Sequence, residues 1–360
     1  MLKLNELNDD IIEWYLKEVK SKVDERIEQC KKIFEGNGHV QENPEILDFL
    51  NKLKKEEDEY LKKNPKIIIN DTEKDEIKEI TLEKDIEFSV NLEKLNISEE
   101  DPSKEQLNLL KKIFKIKTKE EKKEEYKLKW KHFLMHIFDY ENIMSSKRKE
   151  VTLRHRFLSK LNIKTCPYCG RQYITNYNES YSTADLDHFY SQSKYPYLAL
   201  NIYNFIPACA VCNRNFKNDK EVKINPRVEE FGENAVFTLE NAINTYMDME
   251  LKDIKIKLDI RTNDTFLAKR IEENIDTFKL EEVYEIHNDY VLQMIKDITF
   301  RGNESYLESI KMLFEKDDEN EVLKKLKKLI REPYEFRIRQ NEPLGKLTKD
   351  ILNEIEKNQK

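Results

Sequence analysis

Two Cys-x-x-Cys pairs separated by 39 residues constrain this chain more than any other feature. They are Cys166-Pro-Tyr-Cys169 and Cys209-Ala-Val-Cys212. Each turn lets two thiolates face one ion, and four thiolates complete the tetrahedral shell of Zn²⁺ without leaving an open position. We therefore expect a structural zinc site with a folded insertion between the two pairs. The fifth cysteine, Cys30, is expected to be a buried thiol, because an odd count in a reducing compartment favours metal binding over disulfides.

The composition excludes some classes of protein and points to one kind of ligand. The 360 residues allow two or three domains, and 38% of them are charged. There is no run of about 18 apolar residues and no apolar signal segment at the start, so we expect a cytoplasmic protein without a membrane span. The net charge is -7, but residues 147–223 contain 13 Lys and Arg against 6 Asp and Glu. This basic stretch in an acidic chain predicts local contact with phosphate groups.

The parts of the chain outside this stretch are mostly helical by their apolar spacing. The pattern predicts helices at residues 5–34, 44–63, 103–143, 146–160 and from 264 to the end. Within the third of these, the stretch 119–129 is rich in Lys and Glu at the spacing of a solvated helix face. Short apolar runs predict strands at residues 67–69, 80–82, 86–90 and 236–239, and the alternation of apolar and polar residues at 254–260 predicts a strand with one buried face.

The insertion between the cysteine pairs contains residues suited to acid–base chemistry and to a hard metal ion. We expect strands at residues 183–189 and 198–206 and a short helix at 210–217. An unperturbed imidazole titrates near neutrality, so His188 is suited to take a proton from water. The oxygens of Asp187 and Asn213 suit Mg²⁺ while leaving room for waters and a phosphate oxygen. On a regular strand Asp187 and His188 point to opposite faces, so the chain must turn or bulge for both to reach one site. Asp185 shares a face with Asp187 and is the alternative ligand.

Residues 160–226 resemble the HNH (ββα-metal) nucleases of the four-cysteine type. In that family an Asp-His dipeptide ends the first strand, an Asn lies in or after the second strand, and an Asn or His lies on the helix. Asp187-His188, Asn204 and Asn213 match that order. The resemblance implies that His188 is the general base and that Asp187 and Asn213 hold a catalytic Mg²⁺ or Mn²⁺. It also implies that Asn204 braces the loop that holds His188.

Further residues of the insertion suggest contacts and partners. Arg214 and Lys217 on the helix and Lys194 in the loop are the expected phosphate contacts. The sequence Lys194-Tyr195-Pro196 after Asp187-His188 also resembles the HNH subunits of bacterial phage-defence systems of the Septu and retron-associated kind. Those subunits work with an SMC-like ATPase. This resemblance implies an antiphage effector with a protein partner, and it leaves open whether the chain is an oligomer.

We therefore predict an α+β protein with a zinc-braced HNH core between mostly helical regions. The predicted divisions are a helical region with a short β-rich insertion (1–145), the nuclease domain (146–227), and a strand pair followed by helices (228–360). The predicted activity is metal-dependent endonucleolytic cleavage, and the expected substrate is double-stranded DNA. Low sequence specificity is expected, because no recognition helix stands out. Three alternatives stay open: a non-catalytic zinc module that binds nucleic acid, a partner-dependent subunit, and a restriction-type nuclease.

Overall fold

The computed structural model describes most of the chain. The described residues are 1–35, 44–63, 85–89, 125–177, 181–240, 254–301, 303–311, 319–339 and 342–358. The predicted strands at 67–69 and 80–82, and the part of the predicted helix from 103 to 124, lie outside them. Helices and small two-stranded sheets make up the described part, as the α+β prediction requires.

The chain forms two compact units that interleave along the sequence. The unit that contains the four paired cysteines, called the cysteine unit below, comprises Met1–Glu6, Asn162–Asp187 and Ile206–Lys360. The other, called the helical unit, comprises Leu7–Leu161 and His188–Phe205. The chain passes from one unit to the other between Asp187 and His188, within the predicted nuclease domain.

The described part of the helical unit contains five α-helices. They are α1 (Asp9–Phe34), α2 (Pro44–Lys62), α3 (Trp130–Ile137), α4 (Tyr140–Met144) and α5 (Leu153–Leu161). The α1 helix begins at Asp9, four residues later than predicted, because the side chain of Asn8 accepts a hydrogen bond from the backbone nitrogen of Ile11 at 2.9 Å. Residues four apart on α1, from Tyr15 through Val19 and Val23 to Ile27, are fully buried. The first two predicted helices are confirmed.

Two antiparallel strand pairs of the helical unit correct the sequence-based predictions. Strand β1 (Asp85–Ser89) pairs with β2 (Glu125–Lys129), which lies in the stretch predicted as a solvated helix face. That prediction was wrong. The sequence of β2 alternates charged and apolar residues with period two, and this pattern is typical of a strand and not of a helix. The predicted helix at 146–160 is also shorter than expected. Its first part is a hairpin of β3 (Lys147–Arg148) and β4 (Val151–Thr152), and α5 follows.

The hairpin that carries the predicted site residues departs from its prediction in the second strand. Strand β7 (Ala184–His188) lies where expected and pairs with β8 (Phe205–Cys209). Most of the predicted second strand at 198–206 is instead a loop with two 3₁₀ turns, at Pro196–Leu198 and Ile202–Asn204. The fixed φ of Pro196 at the start of the first turn favours this conformation. The predicted helix is present as a π-helix, Val211–Lys217.

The remainder of the cysteine unit is a strand pair covered by helices. Strands β9 (Ala235–Leu239) and β10 (Ile256–Ile260) are antiparallel, which confirms the prediction from alternation, and a small hairpin is formed by β5 (Asn176–Tyr177) and β6 (Tyr181–Ser182). The helices are α6 (Thr265–Phe278), α7 (Leu280–Tyr284), α8 (Asn288–Lys296), α9 (Glu304–Lys311), α10 (Glu319–Arg339) and α11 (Gly345–Asn358). Short helical turns at Glu285–His287 and Asp297–Arg301 join α7 to α8 and extend α8.

Contacts of α11 hold the strand pair in the cysteine unit. The carboxylate of Asp350 accepts a hydrogen bond from the backbone nitrogen of Phe237 at 2.9 Å and contacts Lys346 at 2.9 Å. The buried side chains of Leu347 and Ile351 lie on the same stretch of α11. None of the helices in the described part of the chain has both the length and the apolar character needed to cross a bilayer.

Candidate metal centre and acid–base residues

The four paired cysteines come together in the cysteine unit, as the spacing predicted. They are all buried, and their sulfur atoms lie within 4.8 Å of one another. Thiolates about 2.3 Å from a tetrahedral Zn²⁺ are roughly 3.8 Å apart, so small side-chain adjustments bring these sulfurs to that geometry. The donor set is chemically complete, because four thiolates fill the shell. The cluster can therefore hold a metal ion such as zinc.

The first Cys-x-x-Cys turn is shaped by a glycine and anchored by α7. The backbone nitrogen of Gly170 donates to the carbonyl of Cys166 at 2.8 Å, and Gly170 has a φ of 62°. A side chain there would be strained, and its Cβ would lie 3.4 Å from the hydroxyl oxygen of Tyr284. That hydroxyl donates to the carbonyl of Cys169 at 2.7 Å. The turn is thus fixed by the protein as well as by any ion.

The thiols of the cluster differ in acidity because they hydrogen-bond to one another. Hydrogen bonds from Cys166 and the other two thiols hold the pKa of Cys169 well below its usual range. Burial raises the pKa of Cys166 well above its usual range. A set of thiols in which one gives up its proton readily favours a bound cation, which replaces the remaining protons.

Asp187 is buried against two residues of the cysteine unit. Its Oδ1 lies 2.9 Å from the Nζ of Lys217, and both side chains are almost completely buried. Its Oδ2 accepts a hydrogen bond from the hydroxyl of Tyr168 at 2.6 Å. Tyr168 is itself buried and stacks on Phe278, with ring centroids 4.6 Å apart. Burial, and then the charge of Asp187, raise the pKa of Tyr168 well above its usual range, so the phenol remains a donor.

Asp185 lies two residues earlier on β7 and engages the start of the π-helix. It receives two hydrogen bonds from the guanidinium of Arg214, at 2.7 and 2.6 Å, and one from the side-chain amide of Asn213 at 3.1 Å. Asp185 is buried, whereas the side chain of Arg214 is 67% exposed. The predicted phosphate contact Arg214 is therefore on the surface, and Asp185 fixes its orientation.

His188 belongs to the helical unit and packs in an aromatic setting there. Its ring lies edge-on to Tyr140, with centroids 4.5 Å apart, and 5.3 Å from Phe205. Its Nε2 lies 2.9 Å from the carbonyl oxygen of Ala199. A carbonyl only accepts, so Nε2 carries the proton, and Nδ1 is the basic nitrogen of the neutral ring.

Asn204 ties together the two ends of the loop that follows His188. Its Oδ1 accepts from the backbone nitrogen of Tyr190 at 2.8 Å, and its Nδ2 donates to the carbonyls of Tyr190 and Leu198, both at 3.0 Å. The side chain is fully buried. These contacts connect the start of the loop after His188 with the segment that contains Ala199.

The structure separates the predicted phosphate contacts and adds one residue that the sequence did not single out. Lys194 is exposed, like Arg214, but Lys217 is buried on Asp187 and is not presented to a phosphate. The contact of Tyr168 with Asp187 was not predicted, because Tyr168 lies inside the first Cys-x-x-Cys turn, where the sequence pattern assigns a role only to the cysteines. A bulky phenol in so short a turn was the available signal.

Comparison of the chain with protein-family models, with curated proteins and with solved structures finds no match in any of the three.

Proposed function

We propose that this protein is an HNH-type endonuclease that hydrolyses phosphodiester bonds in DNA, with His188 as the general base. The observation that carries the proposal is the contact between His188 Nε2 and the carbonyl of Ala199. It orients the ring and sets the tautomer, so that Nδ1 is the atom that can take a proton from an attacking water.

The four cysteines are proposed to bind one Zn²⁺ with a structural role. When bound, the ion supplies a cross-link between the first Cys-x-x-Cys turn and the junction of β8 with the π-helix. It has no open position for water once four thiolates are in place, so the proposed chemistry does not involve it. The cysteine side chains are the residues that would hold it.

The second ion that the family resemblance implies, Mg²⁺ or Mn²⁺ on Asp187 and Asn213, does not fit the arrangement of these side chains. Both oxygens of Asp187 are engaged, by the ammonium of Lys217 and by the hydroxyl of Tyr168. We therefore derive no catalytic step from that ion. Plasmid cleavage in the presence of Mg²⁺, Mn²⁺ or EDTA tests whether the reaction requires a divalent ion.

The proposed substrate is DNA, contacted through its phosphates. Arg214 offers an exposed guanidinium that Asp185 holds in place, and Lys194 is exposed on the loop after His188. Phosphate contacts fix position without reading sequence, so cleavage of low sequence specificity is proposed. The setting we propose, from the resemblance to phage-defence subunits, is an antiviral effector that acts with a partner such as an SMC-like ATPase.

A second candidate function is a nucleic-acid-binding zinc module without catalysis. The buried ion pair between Lys217 and Asp187 favours this candidate, because it neutralises the carboxylate that a catalytic ion would use. Binding without catalysis also needs only the zinc cluster and exposed basic residues. The two candidates differ in whether loss of His188 has any effect on the substrate.

The deciding experiment is cleavage of supercoiled plasmid by the purified protein, with Mg²⁺, Mn²⁺ or EDTA. His188→Ala is compared with His155→Ala, a histidine of the same helical unit whose Nδ1 lies 3.1 Å from Thr152 Oγ1. The proposal expects nicking that falls by about 10²–10⁴-fold in His188→Ala and persists in His155→Ala. Equal activity in both variants would contradict it. DNA binding without cleavage by the unmodified protein would favour the non-catalytic or partner-dependent candidates.

A further inference from the structure

Both side chains of the Lys217–Asp187 ion pair are shielded from solvent, which is unusual for an ion pair. The side chains are 3% and 5% exposed, and the Nζ–Oδ1 distance is 2.9 Å. A lysine is rarely buried to this degree unless it neutralises a specific charge. Lys217 is the last residue of the π-helix, and the backbone nitrogen of Asn218 closes it by donating to the carbonyl of Asn213.

The other oxygen of the carboxylate is held from the opposite element. The hydroxyl of Tyr168 donates to Asp187 Oδ2 at 2.6 Å, and the ring is fixed by its stacking on Phe278. Asp187 is thus clamped between the first Cys-x-x-Cys turn and the end of the π-helix. A buried carboxylate with one cation and one neutral donor is balanced in charge without a metal ion.

We propose that the ammonium of Lys217 is the resident cation of Asp187 and competes with divalent ions for this carboxylate. The inference rests on the proposed function only in taking Asp187 as the carboxylate that such an ion would use. Two cations on one buried carboxylate repel each other strongly where the effective dielectric constant is low. A divalent ion can therefore bind there only if Lys217 withdraws, and its burial opposes withdrawal.

This competition is tested by titrating the zinc-loaded protein with Mn²⁺. The electron paramagnetic resonance signal of free Mn²⁺ reports how much of the ion is bound. Lys217→Met removes the charge and keeps the length of the side chain, and we expect it to bind Mn²⁺ at least about tenfold more tightly than the unmodified protein. Lys217→Arg keeps the charge and should show no gain. In the double variant Asp187→Asn with Lys217→Met the gain should vanish, because the carboxylate is gone.

The outcomes are separable from those of the cleavage experiment because binding requires no turnover. Unchanged Mn²⁺ affinity in Lys217→Met, or an equal gain in the double variant, would overturn the inference even if the protein cleaves DNA. A gain confined to Lys217→Met supports it even if no cleavage is found.

Removing Lys217 takes away the cation that lies 2.9 Å from a buried carboxylate, and the variant is expected to be less stable. Thermal unfolding with and without Mn²⁺ keeps the inference testable in that case. Mn²⁺ should raise the melting temperature of Lys217→Met and leave that of the double variant unchanged. Failure of Mn²⁺ to stabilise Lys217→Met would refute the competition. Zinc content, measured on every variant, shows that the cysteine cluster is retained.

Discussion

The Nε2 atom of His188 lies 2.9 Å from the carbonyl oxygen of Ala199, eleven residues further along the chain. This contact uses the loop after β7 to orient the imidazole. A backbone carbonyl does here what a carboxylate does in many acid–base sites, since it holds one ring nitrogen in its protonated form. The carbonyl carries no net charge, so it orients the ring without strongly stabilising the imidazolium.

The first prediction concerns the tautomer of His188. We expect the neutral ring to carry its proton on Nε2 at pH 8, because only that form donates to Ala199. Long-range ¹⁵N–¹H correlation spectra of protein labelled at histidine distinguish the two nitrogens, and His188→Ala assigns the signal. A protonated Nδ1 would show that the contact with Ala199 is not a hydrogen bond, and it would remove the main support for the general-base role.

The second prediction concerns the loop that bears Ala199. Replacing Asn204 by Ala removes three hydrogen bonds from its side chain to the backbone of Tyr190 and Leu198, and each such bond contributes about 1 kcal/mol. We expect the free energy of unfolding to fall by roughly 3 kcal/mol or more. Asn142→Ala is the control, since Asn142 is exposed and its amide bonds only Asp139. Chemical denaturation measures both, and a loss of under about 1 kcal/mol in Asn204→Ala would contradict the bracing role.

The third prediction concerns the cysteine cluster. One zinc per chain is expected in the unmodified protein, and Cys209→Ser should lose it. Cys30→Ser is the matched control, because Cys30 is a buried cysteine of the helical unit whose pKa is raised to about 12 by burial. It should retain the metal. Metal analysis by mass spectrometry gives the stoichiometry, and a full zinc complement in Cys209→Ser would rule out the four-thiolate site.

Loss of the zinc should also destabilise the cysteine unit. A structural zinc contributes many kcal/mol to folding, and each kcal/mol corresponds to about 2–4 °C in a domain of this size. We therefore expect the melting temperature to fall by roughly 10 °C or more in Cys209→Ser, and to fall similarly when a chelator strips the unmodified protein.

The cysteine cluster was predictable from sequence because spacing alone limits which sulfurs can share an ion. The long amphipathic helices were predictable too, since the stripe from Tyr15 to Ile27 repeats every four residues. The buried position of Lys217 was not predictable in this way. A lysine beside a basic motif gives the same pattern whether it faces solvent or an internal carboxylate, and only the packing of β7 against the π-helix distinguishes the two.

The start of the second strand was misplaced for a related reason. Residues 198–206 are largely apolar, and apolar runs of that length suit a buried strand and a buried loop equally well. The hydrogen bonds of Asn204 decide the outcome, because they satisfy the polar backbone of a loop that would otherwise be costly to bury. Such long-range pairing is not visible in a local pattern.

The last prediction concerns pH and two neighbouring carboxyls of α2 that both contact Lys20. Glu57 lies 3.1 Å from Lys20 Nζ and is buried, whereas Asp58 lies 2.9 Å from it and is about 43% exposed. Burial, and then its contact with Asp24, raise the pKa of Glu57 to about 7. Among the described residues no donor reaches Glu57 Oε2. Two ionised carboxylates cannot hydrogen-bond to each other, so a hydrogen bond between Glu57 and Asp24 requires a proton on one of them. The hydrogen bond with Lys20 instead lowers the pKa of Asp58.

The two carboxyls should therefore affect stability with opposite signs. Between about pH 4.5 and 7 the unfolded chain loses the Glu57 proton while the folded protein keeps it, so the free energy of unfolding falls as pH rises. Glu57→Gln should remove this fall and stabilise the protein at pH 8 by about 1–3 kcal/mol, with little effect at pH 4. Asp58→Asn should destabilise it slightly at pH 8, by well under 1 kcal/mol because the pair is exposed to solvent. Denaturation at pH 4, 6 and 8 measures both, and a loss of stability in Glu57→Gln at pH 8 would show that pairing with Lys20 outweighs burial, so that folding lowers the pKa of Glu57 and does not raise it.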